Sequence, residues 1–290
     1  MKNMATNYVG PSPGNTSGSD LDQQMASDVK LYTDACEEYE TVNAQYKQDM
    51  EEFNAIAAQD PMSAMIFFIE VCAPTFLSAQ EANINVYSTQ MNISNDMRAF
   101  GTDATNLENE ATGMDADAGQ AFENDINDLQ KWTNYLDGTT EGTGGSFDPN
   151  AADPWDGSKT YLAPVDATNG ASIDSDCTAI EEAFKTSTGT NWSTAANPTN
   201  GATISNEISS WFTVPTGATE IESYMEDPNI KATQEALQEI NSSVSTLSSS
   251  QQTTFQYYLG NYNQCVSMCN SLGEEEIKGE TTMISNQRAQ

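Results

Sequence analysis

The chain has 290 residues, 43 acidic against 10 basic, for a formal charge of -33, and it contains no histidine. That balance excludes nucleic acid as a partner, because phosphate contacts need clustered Lys and Arg, and it repels anionic lipid surfaces. Without histidine there is no Ser-His or Cys-His nucleophile pair, no His-ligated zinc and no imidazole base.

Residues 1–20 are rich in Gly, Pro, Ser, Thr and Asn, with one Lys and no apolar run. They predict a disordered polar leader, not a cleaved signal peptide. From 21 to 58 the positions Met25, Val29, Tyr32, Cys36, Tyr39, Val42, Tyr46, Met50, Phe53 and Ile56 recur every three or four residues. This spacing predicts a long amphipathic helix with a coiled-coil face. Asp60-Pro61 then reads as a helix start, with Asp capping the free N–H groups and Pro at the first helical position. A second helix is expected over 61–100, kinked or interrupted at Pro74. Its opening run, 62–73, is the most hydrophobic in the chain, but a dozen residues containing Glu70 are too few to cross a bilayer. Burial inside the fold is the plainer reading of this run; a surface meeting another subunit or lipid is the alternative. No direct membrane span is expected.

Residues 101–115 read as a polar connection. Ala118, Phe122, Ile126, Leu129, Trp132 and Leu136 then predict a third helix over about 116–137, with Gly138 as its C-cap. These helices form an N-terminal unit, 21–137. Residues 138–227 hold nine of the 18 Gly and three of the four Trp, which marks an irregular insertion with one or two short helices and a hairpin. Thr168-Asn169-Gly170-Ala171-Ser172-Ile173 is echoed by Thr199-Asn200-Gly201-Ala202-Thr203-Ile204, two copies of a helix start.

Asp227-Pro228 repeats the start signal. The C-terminal unit, 228–290, opens with a helix expected to end at Gly273. Its stripe is Leu237, Ile240, Val244, Leu247, Gln251, Phe255, Tyr258, Tyr262, Cys265, Cys269 and Leu272, whose mean step of about 3.5 residues is the coiled-coil period. A helix of that length needs a long partner. The first helix, helped by the second, is the expected one. The fold class is therefore mainly α: a long antiparallel bundle or coiled coil of N- and C-terminal helices, with an irregular α(+β) insertion.

The residues offer little chemistry. Asp115-Ala116-Asp117-Ala118-Gly119 starts like a calcium loop, but the glycine falls one place early and Ile126 stands where the closing Glu belongs. Asp148, Asn150, Asp153 and Asp156 fit no loop spacing. Cys36, Cys72, Cys177, Cys265 and Cys269 make a poor disulfide framework and lack the ligands for a zinc site, so they read as small buried hydrophobes. A carboxylate-only hydrolase with Trp155, Trp192 and Trp211 lining a groove has no supporting fold signal. No phosphate-binding glycine loop occurs. No cofactor or metal is expected, and the chain reads as a non-enzyme.

The stretch Gln251-Gln252-Thr253-Thr254-Phe255-Gln256-Tyr257-Tyr258-Leu259-Gly260-Asn261-Tyr262-Asn263-Gln264, continuing to Met283-Ile284-Ser285-Asn286-Gln287-Arg288, resembles the closing helix of bacterial type III secretion needle-tip and filament proteins. The apolar run at Ala64–Phe68 is similar in kind to the N-terminal helix of the filament proteins. The resemblance is architectural over the whole chain; the five Cys and the tail beyond Gly273 depart from it. It implies an exported, uncleaved surface protein that assembles through its coiled coil. Implied partners are sister copies, needle subunits and translocator proteins, with a cytoplasmic chaperone before export. The interface expected on this basis is Leu237, Ile240, Val244, Leu247, Phe255, Tyr258, Tyr262, Cys265, Cys269 and Leu272 on the last helix, with Ile66 and Phe67 on the second. A secreted helical effector binding a host protein is the competing reading.

Overall fold

The computed structural model describes residues 18–109, 116–136, 164–192, 201–213, 215, 223–224 and 226–288, leaving aside the side chains of 18–19, 116, 201–205 and 272–288. The protein is mainly α, and among the described residues no strand is present. The expected leader lies outside these residues, apart from the start of α1 (Gly18–Ala57). The hairpin expected in the insertion has no counterpart among the described residues, which supply two helices there.

The α1 stripe is real but unevenly covered. Met25, Val29, Tyr32 and Tyr39 are buried, joined by Leu21 and Ala35, whereas Tyr46, Met50, Phe53 and Ile56 in the second half are only half-buried. After a three-residue turn, the Asp60 carboxylate accepts from the N–H groups of Met62 and Ser63 and starts α2 (Pro61–Phe67), as the Asp-Pro signal predicts.

Pro74 does not interrupt the helix. A π-helical turn, Phe68–Cys72, precedes it, and Ala73 N–H reaches back five residues to the Phe68 carbonyl. The widened turn makes room for the Pro74 ring against the preceding turn, where an ordinary helix would clash. The path continues as α3 (Ala73–Asn109), nine residues beyond the expected end. Much of the supposed polar connection is therefore helix, and Gly101 is buried within it.

Gly101 marks the closest approach of α3 to the last helix, α7 (Pro228–Arg288). A Cβ at this position would lie 2.9 Å from Asn241 Oδ1 and 3.2 Å from Ile240 Cγ2. Asn241 is held in place, its Nδ2 donating to Thr105 Oγ1 at 2.8 Å and to the Leu237 carbonyl at 3.0 Å. Gly101→Ala should therefore destabilise the protein by about 1–3 kcal/mol despite the better helix propensity of Ala. In a denaturation cycle with Asn241→Ala the two losses should be clearly less than additive; strict additivity would refute the clash.

Pairs along α1 and α3 run in opposite senses: Gln24 with Asp96, Tyr46 with Phe76, Asp49 with Thr75, Phe53 with Phe68. Pairs along α3 and α7 do the same: Tyr87 with Tyr258, Ser94 with Gln251, Glu108 with Gln234. α3 is thus the shared neighbour, and α1 does not pack directly on α7 as the sequence led us to expect. The stripe on α7 is filled by α3 on one side and α5 (Ala167–Thr188) on the other, so α1 is left to α2, α3 and α4 (Ala116–Leu136).

α4 (Ala116–Leu136) and α6 (Gly201–Trp211) pack on each other, and α5 (Ala167–Thr188) packs on α4 and α7. Of the two echoed motifs, the first opens α5 and the Gly201–Ile204 part of the second opens α6, its Thr199 and Asn200 lying outside the described residues. Asp166, unremarked in the sequence, caps α5 through Thr168 N and Asn169 N. Gly189 ends α5 in the left-handed region, its N–H donating to the Lys185 carbonyl. Asp227 caps α7 through Asn229 N and Ile230 N. Asp227→Ala should cost about 1 kcal/mol in equilibrium denaturation, and no loss would mean that the cap is dispensable. Gly273 does not stop α7; the helix runs 15 residues past it to Arg288. An interior Gly costs a helix roughly 1 kcal/mol but cannot end one alone. Gly138, the expected cap of α4, lies outside the described residues.

Candidate interaction surface

The long α7 stripe is the feature that the sequence singles out, and the fold divides it in two. Leu237, Ile240, Val244 and Leu247 are buried inside the chain. They are covered from both sides: Gly101 and Thr105 of α3 meet Asn241, and Ser172 of α5 lies 3.2 Å from Ser243. The covered half closes at Gln251. Its Nε2 donates to the Pro164 carbonyl just ahead of α5, and its Oε1 accepts from Ser94 of α3.

Beyond Gln251 there is no α5. Phe255, Tyr258, Tyr262, Cys265 and Cys269 are half-buried, although they occupy the same register as the buried residues before them. Tyr258 stacks on Tyr87 with ring centroids 4.3 Å apart. Tyr257 and Met268 point outward, each about two-thirds exposed (64% and 66%). A Cβ on Gly260 would meet nothing within 4 Å. Leu272 lies on α7, past the residues whose side chains are described.

The α1–α2 hairpin occupies this same end. Ile66 is exposed and Phe67 is half-buried. Met62 and Met65, absent from our sequence-based interface, are more exposed still. The apolar run is therefore not the fully packed core helix that its composition suggests. Because Pro74 leaves the helix unbroken, the apolar stretch is also longer than a dozen residues. Within Pro61–Asn109 a window of 18 residues has mean hydropathy 1.6 and is 22% buried, long and apolar enough to cross a membrane by length and composition alone. The length argument from the sequence counted only residues 62–73.

Among the described residues, no group of three or more Cys, Asp or Glu is placed to hold an ion. Asp117 sits in the first turn of α4. Asp174 accepts from Gln130 Nε2 at 3.0 Å and Asn134 Nδ2 at 3.1 Å, joining α5 to α4. Asp148, Asn150, Asp153 and Asp156 lie outside the described residues. Two carboxyl pairs were not legible in the sequence: Asp28 of α1 faces Asp96 of α3, and Asp103 of α3 faces Asp125 of α4. Burial, reinforced by the facing carboxyl, pushes Asp96 and Asp125 each up to about 8, and burial alone pushes Glu123 up to about 7.

All five cysteines are free. Cys72 and Cys177 are buried, and Cys36, Cys265 and Cys269 are partly so. Burial raises the Cys36 thiol to about 12 and holds Cys177 higher than a free thiol, so both stay protonated at neutral pH. Of the three Trp residues considered for a sugar groove, Trp192 and Trp211 are instead packed in an aromatic cluster with Phe122, Phe184 and Phe212. Trp155 lies outside the described residues. The hydroxyl-rich face at Ser242–Ser250 borders a shallow groove of about 540 Å³. Thr246 and Ser249 donate to the carbonyls four residues earlier, so these hydroxyls serve their own helix.

Comparison with known proteins finds no match: no family model, no curated protein and no solved structure.

Proposed function

We propose that this protein is a non-enzymatic assembly protein, exported to the bacterial surface without a cleaved signal peptide, that builds a type III secretion needle tip or filament through an antiparallel coiled-coil bundle. One observation carries the reading: a continuous heptad stripe on α7 is buried by α3 and α5 as far as Gln251 and is half-open from Phe255 onward. Apolar residues in a coiled-coil register attract another helix when their own chain supplies none. Phe255, Tyr258, Tyr262, Cys265 and Cys269 would meet sister copies or needle subunits. The buried residues Leu237, Ile240, Val244 and Leu247 would hold the subunit together. Translocator proteins would sit beyond the assembled end, and a chaperone would cover the half-open stripe before export. The acidic surface would keep unassembled subunits apart.

Two measurements test this. Export of full-length chain into the medium should require an active type III ATPase in the producing bacterium. Purified chain, concentrated at raised salt to screen its charge, should form oligomers by sedimentation, and Tyr257→Glu with Met268→Glu should abolish them without changing the helical spectrum. A chain that is exported but stays monomeric at every concentration would fit the second reading, a secreted effector. Retention of the chain inside the cell would defeat both readings.

A further inference from the structure

Among the described residues, a second surface besides the α7 stripe is apolar and exposed. Met62, Met65 and Ile66 are 66%, 57% and 45% exposed on successive turns of α2, and Ile69 extends the same face. We propose that this face binds a basic amphipathic helix of a partner protein. The inference does not depend on the assembly reading, since it concerns α2 rather than α7.

The argument for this occupant is charge. Asp60 accepts from the Met62 and Ser63 N–H groups at the head of α2, Glu70 follows one turn after Ile66, and Glu51 and Glu52 lie near the end of α1 beside the π-helical turn; all four are exposed. No Lys or Arg occurs between Lys47 and Arg98. An apolar stripe edged by carboxylates complements a helix whose apolar face is flanked by Lys and Arg. Met suits such a surface because its unbranched, polarizable chain repacks around differing side chains. A second copy brings the same carboxylates against these ones, on a molecule already at -33. A bilayer would have to take up Glu70, with no cation in the segment to reach anionic headgroups.

The test titrates the full-length chain into a labelled 18-residue Leu/Lys peptide with Leu at helical spacing, by fluorescence anisotropy at physiological salt. A scrambled peptide of the same composition serves as the control for plain charge attraction. The patterned peptide should bind at least tenfold more tightly than the scrambled one. The triple variant Met62→Ser, Met65→Ser, Ile66→Ser keeps every charge and should weaken binding at least tenfold. Glu51→Gln with Glu70→Gln should weaken it and flatten its salt dependence. Should the triple variant fail to fold, Met65→Arg alone should produce the loss by repelling the peptide. Equal binding of both peptides, or unchanged binding by a folded patch variant, overturns the proposal. Patch-dependent flotation with phosphatidylcholine vesicles but no preference for the patterned peptide overturns it in favour of lipid. Patch-dependent dimerisation with no such preference overturns it in favour of a second copy.

Discussion

Raising the pH from about 5 to about 9 should lower the unfolding free energy by up to about 4 kcal/mol at each of the two buried carboxyl pairs. Asp96 and Asp125 are buried, and each faces another carboxyl, Asp28 and Asp103 respectively. In the folded chain each keeps its proton up to about pH 8. In the unfolded chain an Asp releases its proton near about 3.9. Across that window the folded state binds more protons, so stability falls as pH rises and levels off above about 8. Gln24 Nε2, donating to Asp96 at 2.8 Å, favours the ionised form but does not offset burial and the Asp28 carboxyl. General repulsion at high net charge acts in the same direction, so the variant decides the cause. Asp96→Asn with Asp125→Asn leaves a neutral donor opposite each remaining carboxylate. It should raise stability at pH 8.5 and flatten the profile between about 5 and 8. Urea denaturation across pH measures both, and an unchanged slope in the double variant would sink the assignment.

Phe122→Ala should cost about 3–5 kcal/mol, the range for removing a large buried aromatic side chain. Phe122 is fully buried on α4, edge-on to Phe212 at 5.0 Å and to Trp192 at 6.2 Å. Phe184 continues the cluster, 5.3 Å from Trp192 and 5.5 Å from Trp211. This cluster packs the two insertion helices against α4. Trp192 adds a hydrogen bond from Nε1 to Asn127 Oδ1 at 2.8 Å. Thermal melts should show the loss together with a weakened near-ultraviolet signal from the Trp residues. Phe122→Leu, which leaves a smaller cavity, should cost less than half as much. A Phe122→Ala protein that melts within a degree or two of the native chain would show that α4 and the insertion stand apart.

Much of the helix layout could be read from local signals. Asp60-Pro61 and Asp227-Pro228 start helices because the capping carboxylate and the fixed proline φ act within one turn. The α1 and α7 stripes reflect helical spacing, again a property of a short window. The errors came at Pro74 and Gly273, where an interruption or a stop was expected, and at 101–115, read as a polar connection from Gly101 onward. Pro74 is accommodated by the π-helical turn, Gly101 by contact with Asn241, and Gly273 by a helix long enough to absorb one weak residue. Residue type alone does not say whether a neighbour exists to use the gap.

The candidate surface shows the same division. The identical register of Leu247 and Phe255 was legible, but one is buried and the other half-open because α5 begins beside Gln251 and no helix among the described residues takes its place further along α7. The carboxyl pairs join residues 68 positions apart in one case and 22 in the other, distances that only the packing of α1, α3 and α4 brings together. The sequence by itself determined the mainly α class, the two Asp-Pro caps and the apolar stripes, because each arises from interactions within a few residues. The tertiary structure decided which part of each stripe is core, which part remains surface and which acids lose water, because burial depends on neighbours distant along the chain.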